Sequence, residues 1–235
     1  MDLAIVIFLL GGLFLGWSLG SNDAANVFGT AVGTRMVRFK TAAIVCSLFI
    51  ILGAVISGSG TTETLGKLGA INALPGAFAA CVAAGLSVYI MTKFGLPVST
   101  TQAIVGAIVG WNLYTGSSTN IKVLLTILST WILCPIIAAL IAMLFFILTK
   151  KLLKNTTWHI LRLDAYTRTA LLIAGAFGAY SLGANNIANV MGVFVPIAPF
   201  ADIQLGSFLI FSSKEQLFLL GGIAIAVGVF PYSKK

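Results

Sequence analysis

Two segments of this chain carry the same polar pattern. SLGSNDAANVFG over Ser18 to Gly29 returns as SLGANNIANVMG over Ser181 to Gly192, with eight of twelve positions identical. Both copies lie inside apolar stretches, where Asn, Asp and Gly are costly unless they line a cavity. In the first copy Gly20 and Gly29 permit a helix to unwind and another backbone to come close, while Asn22, Asp23 and Asn26 supply oxygen ligands. Asn22 and Asn26 are one helical turn apart and share a face wherever the helix persists. Asp23 is the only acidic residue clearly at membrane depth, and no Lys or Arg adjoins it in sequence. A carboxylate so placed calls for a bound Na⁺ or a proton, with freed backbone carbonyls completing the shell. In the second copy Asn186 stands in place of Asp23, which keeps an oxygen ligand and drops the charge. The competing reading treats the amides as interhelical glue. The same spacing written twice argues instead for a paired site made from two broken helices, the signature of a transporter.

A third constellation is GLPVSTTQ, Gly95 to Gln102. Pro97 halts one helix and favours a fresh start just beyond it, so Ser99, Thr100, Thr101 and Gln102 fall in the first turn of the next element. That turn exposes backbone N–H groups at the positive end of a helix and surrounds them with polar side chains, a receptor for an anion. An ordinary N-cap is the alternative. A divalent tetrahedral oxyanion in a cage of neutral donors is costly to desolvate, so co-bound cations must neutralise it. That requirement is a physical reason for symport.

The elements that must hold these residues are membrane spans. The chain has 235 residues, 59% hydrophobic and 9% charged, with a mean hydropathy of +1.05, too apolar to clothe a water-soluble globule. The expected fold is an all-α, polytopic membrane helical bundle. Its first apolar run, from Leu3, has no basic region before it and no cleavage pattern, and reads as a retained span. The formal charge of +8 sits between spans, at Arg35, Arg38 and Lys40 and again at Lys150, Lys151, Lys154, Arg162 and Arg168. Such clusters set membrane orientation rather than bind nucleic acid. Cys46, Cys81 and Cys134 show no metal-ligand spacing, and His159, beside Trp158, reads as an interfacial anchor. Apart from Asp23 no acid, His or Cys stands at membrane depth to serve as base or nucleophile, which argues against an enzyme.

A crossing needs roughly 20 apolar residues. The expected elements are Leu3 to Gly33 (broken near Gly20 to Asn26), Thr41 to Ser57, Leu74 to Thr92, Ser99 to Tyr114, Val123 to Thr149, Thr169 to Pro196 (broken near Gly183 to Asn189) and Leu205 to Val229. The polar loop from Ser57 to Asn72, with Glu63 and Lys67, belongs outside the bilayer. If the short segment after Pro97 crosses, five traversals precede the second polar copy and the two copies run in opposite directions. With the N-terminus outside, that count places every basic cluster inside, whereas a re-entrant segment strands the largest one outside. Inverted-topology repeats follow.

These residues resemble the inorganic phosphate transporter (PiT) family, whose halves each carry a GxNDxAN-type and a PxSxTQ-type signature. GSNDAAN at Gly20 to Asn26, PVSTTQ at Pro97 to Gln102 and GANNIAN at Gly183 to Asn189 match in order and in membrane context. The resemblance implies symport of inorganic phosphate across the plasma membrane by alternating access, driven by Na⁺, with H⁺ coupling or sulfate as the alternatives. By that similarity Ser21, Asn22, Ser99, Thr100, Thr101, Gln102 and Asn185 are assigned to phosphate. Asn22, Asp23, Asn26, Asn186 and Asn189 are assigned to Na⁺. Residues 1–149 correspond to a first repeat and 165–235 to the opening of a second, which lacks its own PxSxTQ hairpin. The expectation is therefore a fragment or split chain, completed by a second chain or by homo-oligomer assembly. A non-transporting membrane subunit is the reading from another class.

Overall fold

A computed structural model describes residues 3–60, 74–154, 159–197, 200–205 and 209–232. Seven α-helices carry them: α1 (Leu3–Gly33), α2 (Phe39–Ser57), α3 (Leu74–Lys93), α4 (Thr100–Thr115), α5 (Ile121–Lys154), α6 (Ile160–Met191) and α7 (Ser213–Tyr232). A 3-10 turn, Gly192–Ile197, follows α6, and an antiparallel hairpin of β1 (Ile203–Leu205) and β2 (Leu209–Phe211) precedes α7. Among the described residues, all helices except α4 are long and apolar enough to cross a bilayer. The chain is a multi-pass helical membrane protein. At 16 residues, α4 reaches about 24 Å, short of the roughly 30 Å hydrocarbon core. Most of the loop from Ser57 to Asn72, with Glu63 and Lys67, lies outside the described residues.

Side-chain contacts give the helices their directions. Down α1, Phe8 meets Phe78, Trp17 meets Tyr89 and Asn22 meets Thr92, so α3 runs parallel to it. A Cβ at Gly16 would touch Ala224 and one at Gly20 would touch Ile225 and Gly228, so α7 is parallel as well. Against α6 the order reverses: Gly12 abuts Val190, whereas Phe28 abuts Gly175. The two polar copies therefore lie on antiparallel helices, the inversion read from the distribution of charge. The α2 helix runs against α7, with Ser47 Oγ donating to the Ala226 carbonyl at 3.2 Å and Ala54 lying beside Gly222. Across the start of α6, Arg168 pairs with Asp164 at 2.7 Å and donates to the Met36 carbonyl, which ties α6 to the α1–α2 connection.

Both expected helix breaks are absent. The α1 helix continues through Gly20 to Asn26, and α6 continues through Gly183 to Asn189. Two of the polar side chains bond their own helix without unwinding it: Ser21 Oγ donates to the Ser18 carbonyl at 2.7 Å, and Asn186 Nδ2 donates to the Leu182 carbonyl at 3.1 Å. The glycines serve contact between helices instead. A Cβ at Gly20 would lie 1.9 Å from the Ile225 carbonyl oxygen and one at Gly183 would lie 2.1 Å from the Ile50 carbonyl oxygen, which is the close approach that small residues permit in membrane bundles. The last helix also begins later than Leu205. Ser212 and Glu215 form a reciprocal capping box, Glu215 Oε2 accepting from the Ser212 N–H at 2.8 Å and Ser212 Oγ from the Glu215 N–H at 3.3 Å, so the helix starts at Ser213 and the hairpin takes the preceding residues.

Candidate functional site

The start of α4 is the centre of the polar network. Ser99 adopts extended backbone angles and its side chain accepts from the Gln102 N–H at 3.3 Å, a regular N-cap. The cap leaves the remaining first-turn N–H groups pointing past the helix end. Thr100 is buried, and its Oγ1 has no hydrogen-bond partner. Thr101 faces α6, where Asn189 Nδ2 donates to its hydroxyl oxygen at 2.9 Å.

Ser99, Thr101 and Gln102 line a cleft of about 540 Å³ together with Asn185 and Asn189 of α6 and a stripe of α5 that includes Thr130, Trp131 and Pro135. Its walls come from the consecutive helices α4 and α5 and from α6. Asn185 and Gln102 are exposed to it, while Asn189 is buried behind them and also donates to Asn186 Oδ1 at 2.9 Å. Asn186 thus links Asn189 to the helix backbone.

The first polar copy stands behind this cleft rather than in its wall. Asn22 is buried; its Nδ2 donates to Thr92 Oγ1 at 2.8 Å and to the Leu96 carbonyl at 3.3 Å, and its Oδ1 accepts from the Val98 N–H at 3.3 Å. The amide clamps the α3–α4 connection and so sets where the α4 N-terminus points. Asp23, half-buried, lies against the Thr100 hydroxyl without completing a well-formed hydrogen bond to it. Ser21 is buried and turned back on its own helix. Asn26 is exposed one turn further on, away from the cleft lining. Of the residues expected at the site, Ser99, Thr101, Gln102, Asn185 and Asn189 share one cavity, with Asn186 bonded to Asn189; Asn22 and Asp23 of α1 and the buried Thr100 of α4 stand behind it, and Ser21 and Asn26 join neither group.

Sequence reading did not single out Thr92 or the α5 stripe. Thr92 is one hydroxyl in an apolar helix, donating to the Val88 carbonyl at 2.7 Å while accepting from Asn22. The signals on α5 were Pro135 and the hydroxyls of Thr126, Ser129 and Thr130 within a mostly apolar helix. Among the described residues no cluster of His, Cys, Asp or Glu could hold a metal ion. The oxygens gathered here are amides, hydroxyls, backbone carbonyls and one carboxylate.

Residues 19–235 match the model of the phosphate transporter family. "Putative phosphate permease TK2061" of Thermococcus kodakarensis is 38% identical over 166 residues, covering 66% of this chain and 41% of that protein. "Putative phosphate permease PF1020" of Pyrococcus furiosus is 36% identical over 166 residues, covering 66% of this chain and 40% of that protein. The chain spans about two fifths of the length of these curated relatives. A solved structure, "The sodium-dependent phosphate transporter", superposes with a TM-score of 0.75 at 24% identity over 99% of this chain and 76% of that one, a likeness of fold.

Proposed function

This chain belongs to the phosphate transporter family, and we propose that it forms part of a plasma-membrane symporter that carries inorganic phosphate by alternating access, driven by Na⁺. The observation that carries this reading is the cleft in which the first turn of α4 meets the Asn185 and Asn189 amides. Hydroxyls, amides and free N–H groups converge there, donors suited to an oxyanion, and among the described residues no Arg or Lys lines the cleft. An anion held by neutral donors gains much of its stability from a cation bound nearby. Asp23 supplies a negative charge beside an unpartnered Thr100 oxygen, a donor set that suits Na⁺. In this proposal the phosphate assignment rests on Ser99, Thr100, Thr101, Gln102 and Asn185, and the Na⁺ assignment on Asp23, Asn186 and Asn189.

Residues 1–149 and 165–235 are proposed as the first repeat and the opening of the second, and the antiparallel course of α1 and α6 supports that division. A second chain or homo-oligomerisation as the source of a further hairpin belongs to the same proposal. Radiolabelled phosphate uptake into proteoliposomes, with and without an inward Na⁺ gradient, tests the function. Uptake that follows the Na⁺ gradient is expected; uptake that follows a pH gradient alone assigns H⁺ coupling, and phosphate binding without flux assigns a non-transporting subunit.

A further inference from the structure

The far end of α5 takes no part in the cleft. At 34 residues the helix is about 51 Å long, well beyond the roughly 30 Å hydrocarbon core, so its last turns reach the membrane surface. Lys150, Lys151 and Lys154 stand on those turns, and α5 contains no acidic residue. The nearest carboxylate along the chain, Asp164, is paired with Arg168 at 2.7 Å, and among the described residues no ion pair reaches the three lysines. Phe146, Thr149, Lys150, Leu153 and Lys154 recur at three- and four-residue spacing on one face and line a groove of about 480 Å³. Lys151, one position on from Lys150, is turned about 100° around the helix and lies outside that lining. Toward the bilayer interior the same face continues through Met143 and Ile136, both exposed.

We infer that this groove seats an anionic phospholipid of the inner leaflet. Lys150 and Lys154 take the headgroup phosphate, the Thr149 hydroxyl adds a donor, and Phe146, Met143 and Ile136 carry the acyl chain. The order of these residues along α5 favours a lipid over a free phosphate. A soluble anion is served by the lysines and gains nothing from the apolar stripe, whereas an amphiphile meets charge and then hydrocarbon in the order the face presents them. A zwitterionic headgroup brings its own cation and loses most of the attraction. The lysine stems can lie along Leu153 while their ammonium groups reach the headgroup. Positive clusters come to rest on the inner side of a membrane, where basic pockets suit anionic headgroups.

Native mass spectrometry of the purified chain, titrated with phosphatidylglycerol or with phosphatidylcholine of the same acyl chains, measures the seat. Phosphatidylglycerol is expected to bind about 25-fold more tightly, about fivefold for each of two surface lysines. Lys150→Gln and Lys154→Gln should each lose about fivefold of that preference, while Lys151→Gln, the same charge change off the groove, should alter it by no more than about twofold. Equal affinity for the two lipids overturns the proposal. An equal loss in all three variants does so too, since it leaves only diffuse attraction to a charged surface, and displacement of phosphatidylglycerol by matched inorganic phosphate overturns it in favour of a free-anion site. Photoactivatable phosphatidylglycerol on the unmodified chain keeps the test independent of variant folding. Cross-links within residues 136–154 are expected; cross-links spread over the other helices overturn the seat, as do inter-chain cross-links at 146–154 that put a second copy on the groove.

Discussion

The two polar copies share most of their residues and do different work. In the first, the buried Asn22 amide uses its donors and an acceptor to hold Thr92, Leu96 and Val98, and Asp23 turns to Thr100. In the second, Asn185 opens onto the cleft and Asn189 reaches Thr101. Antiparallel packing explains the difference. It brings the same pattern against the α3–α4 connection on one helix, and against the first turn of α4 on the other. The first copy stands behind the cleft and carries the charge, and the second forms part of the cleft wall.

Making the copies chemically equal is expected to have the largest effect. Asp23→Asn gives the first copy the residue found at Asn186, and removing a partly buried ligand charge costs about 3 kcal/mol, roughly 100-fold in Na⁺ affinity. A Na⁺ titration of phosphate uptake measures it; an unchanged half-saturation would remove Asp23 from the cation site. Next come the features that the copies share. Gly20→Ala and Gly183→Ala each drive a methyl into a backbone carbonyl that cannot rotate away, with an expected loss of about 3 kcal/mol of stability in either helix. Thermal unfolding followed by fluorescence-detected chromatography should show both variants failing at lower temperature. If only one did, the glycines would not be equivalent contacts.

Smaller effects separate scaffold from wall. Asn22→Ala strands the Val98 N–H and releases the α3–α4 connection, so a loss of about 2 kcal/mol in stability should accompany weaker phosphate binding. Thr92→Val should reproduce part of that loss, and Thr92→Ser should restore it. Asn185→Ala, whose side chain the structure places in the open cleft, is expected to leave the unfolding temperature in place and weaken phosphate by about fivefold. Equal stability changes for Asn22→Ala and Asn185→Ala would erase the distinction between the copies.

Much of this arrangement was legible from residue order. The helices α1, α2, α3 and α4 begin and end within about two residues of the expected limits, because apolar runs bounded by Arg, Lys, Gly and Pro leave little freedom in a bilayer. The inversion could be read from charge placement, since positive clusters mark one side of the membrane. The helix breaks were misread. Glycine beside Asn and Asp permits unwinding, and it equally permits two helices to touch; composition does not distinguish these uses, whereas the Ile225 and Ile50 carbonyls do. The cleft's third wall was hidden for a similar reason, as Thr130 and Trp131 on a helix of high hydropathy look like lipid-facing residues until α4 and α6 are seen beside them.

By itself the sequence determined that the chain is a bundle of membrane helices, that its polar residues fall into two related copies and one Pro-initiated turn, and that a single carboxylate distinguishes the copies. Hydrophobicity, charge sidedness and backbone rules act locally and can be read along the chain. Tertiary structure alone decided which amide became a clamp on the α3–α4 connection and which bonded the first turn of α4, because an Asn side chain is defined by its partners. Those partners, Thr92 and Val98 for Asn22 and Thr101 for Asn189, lie about seventy to ninety residues away in sequence.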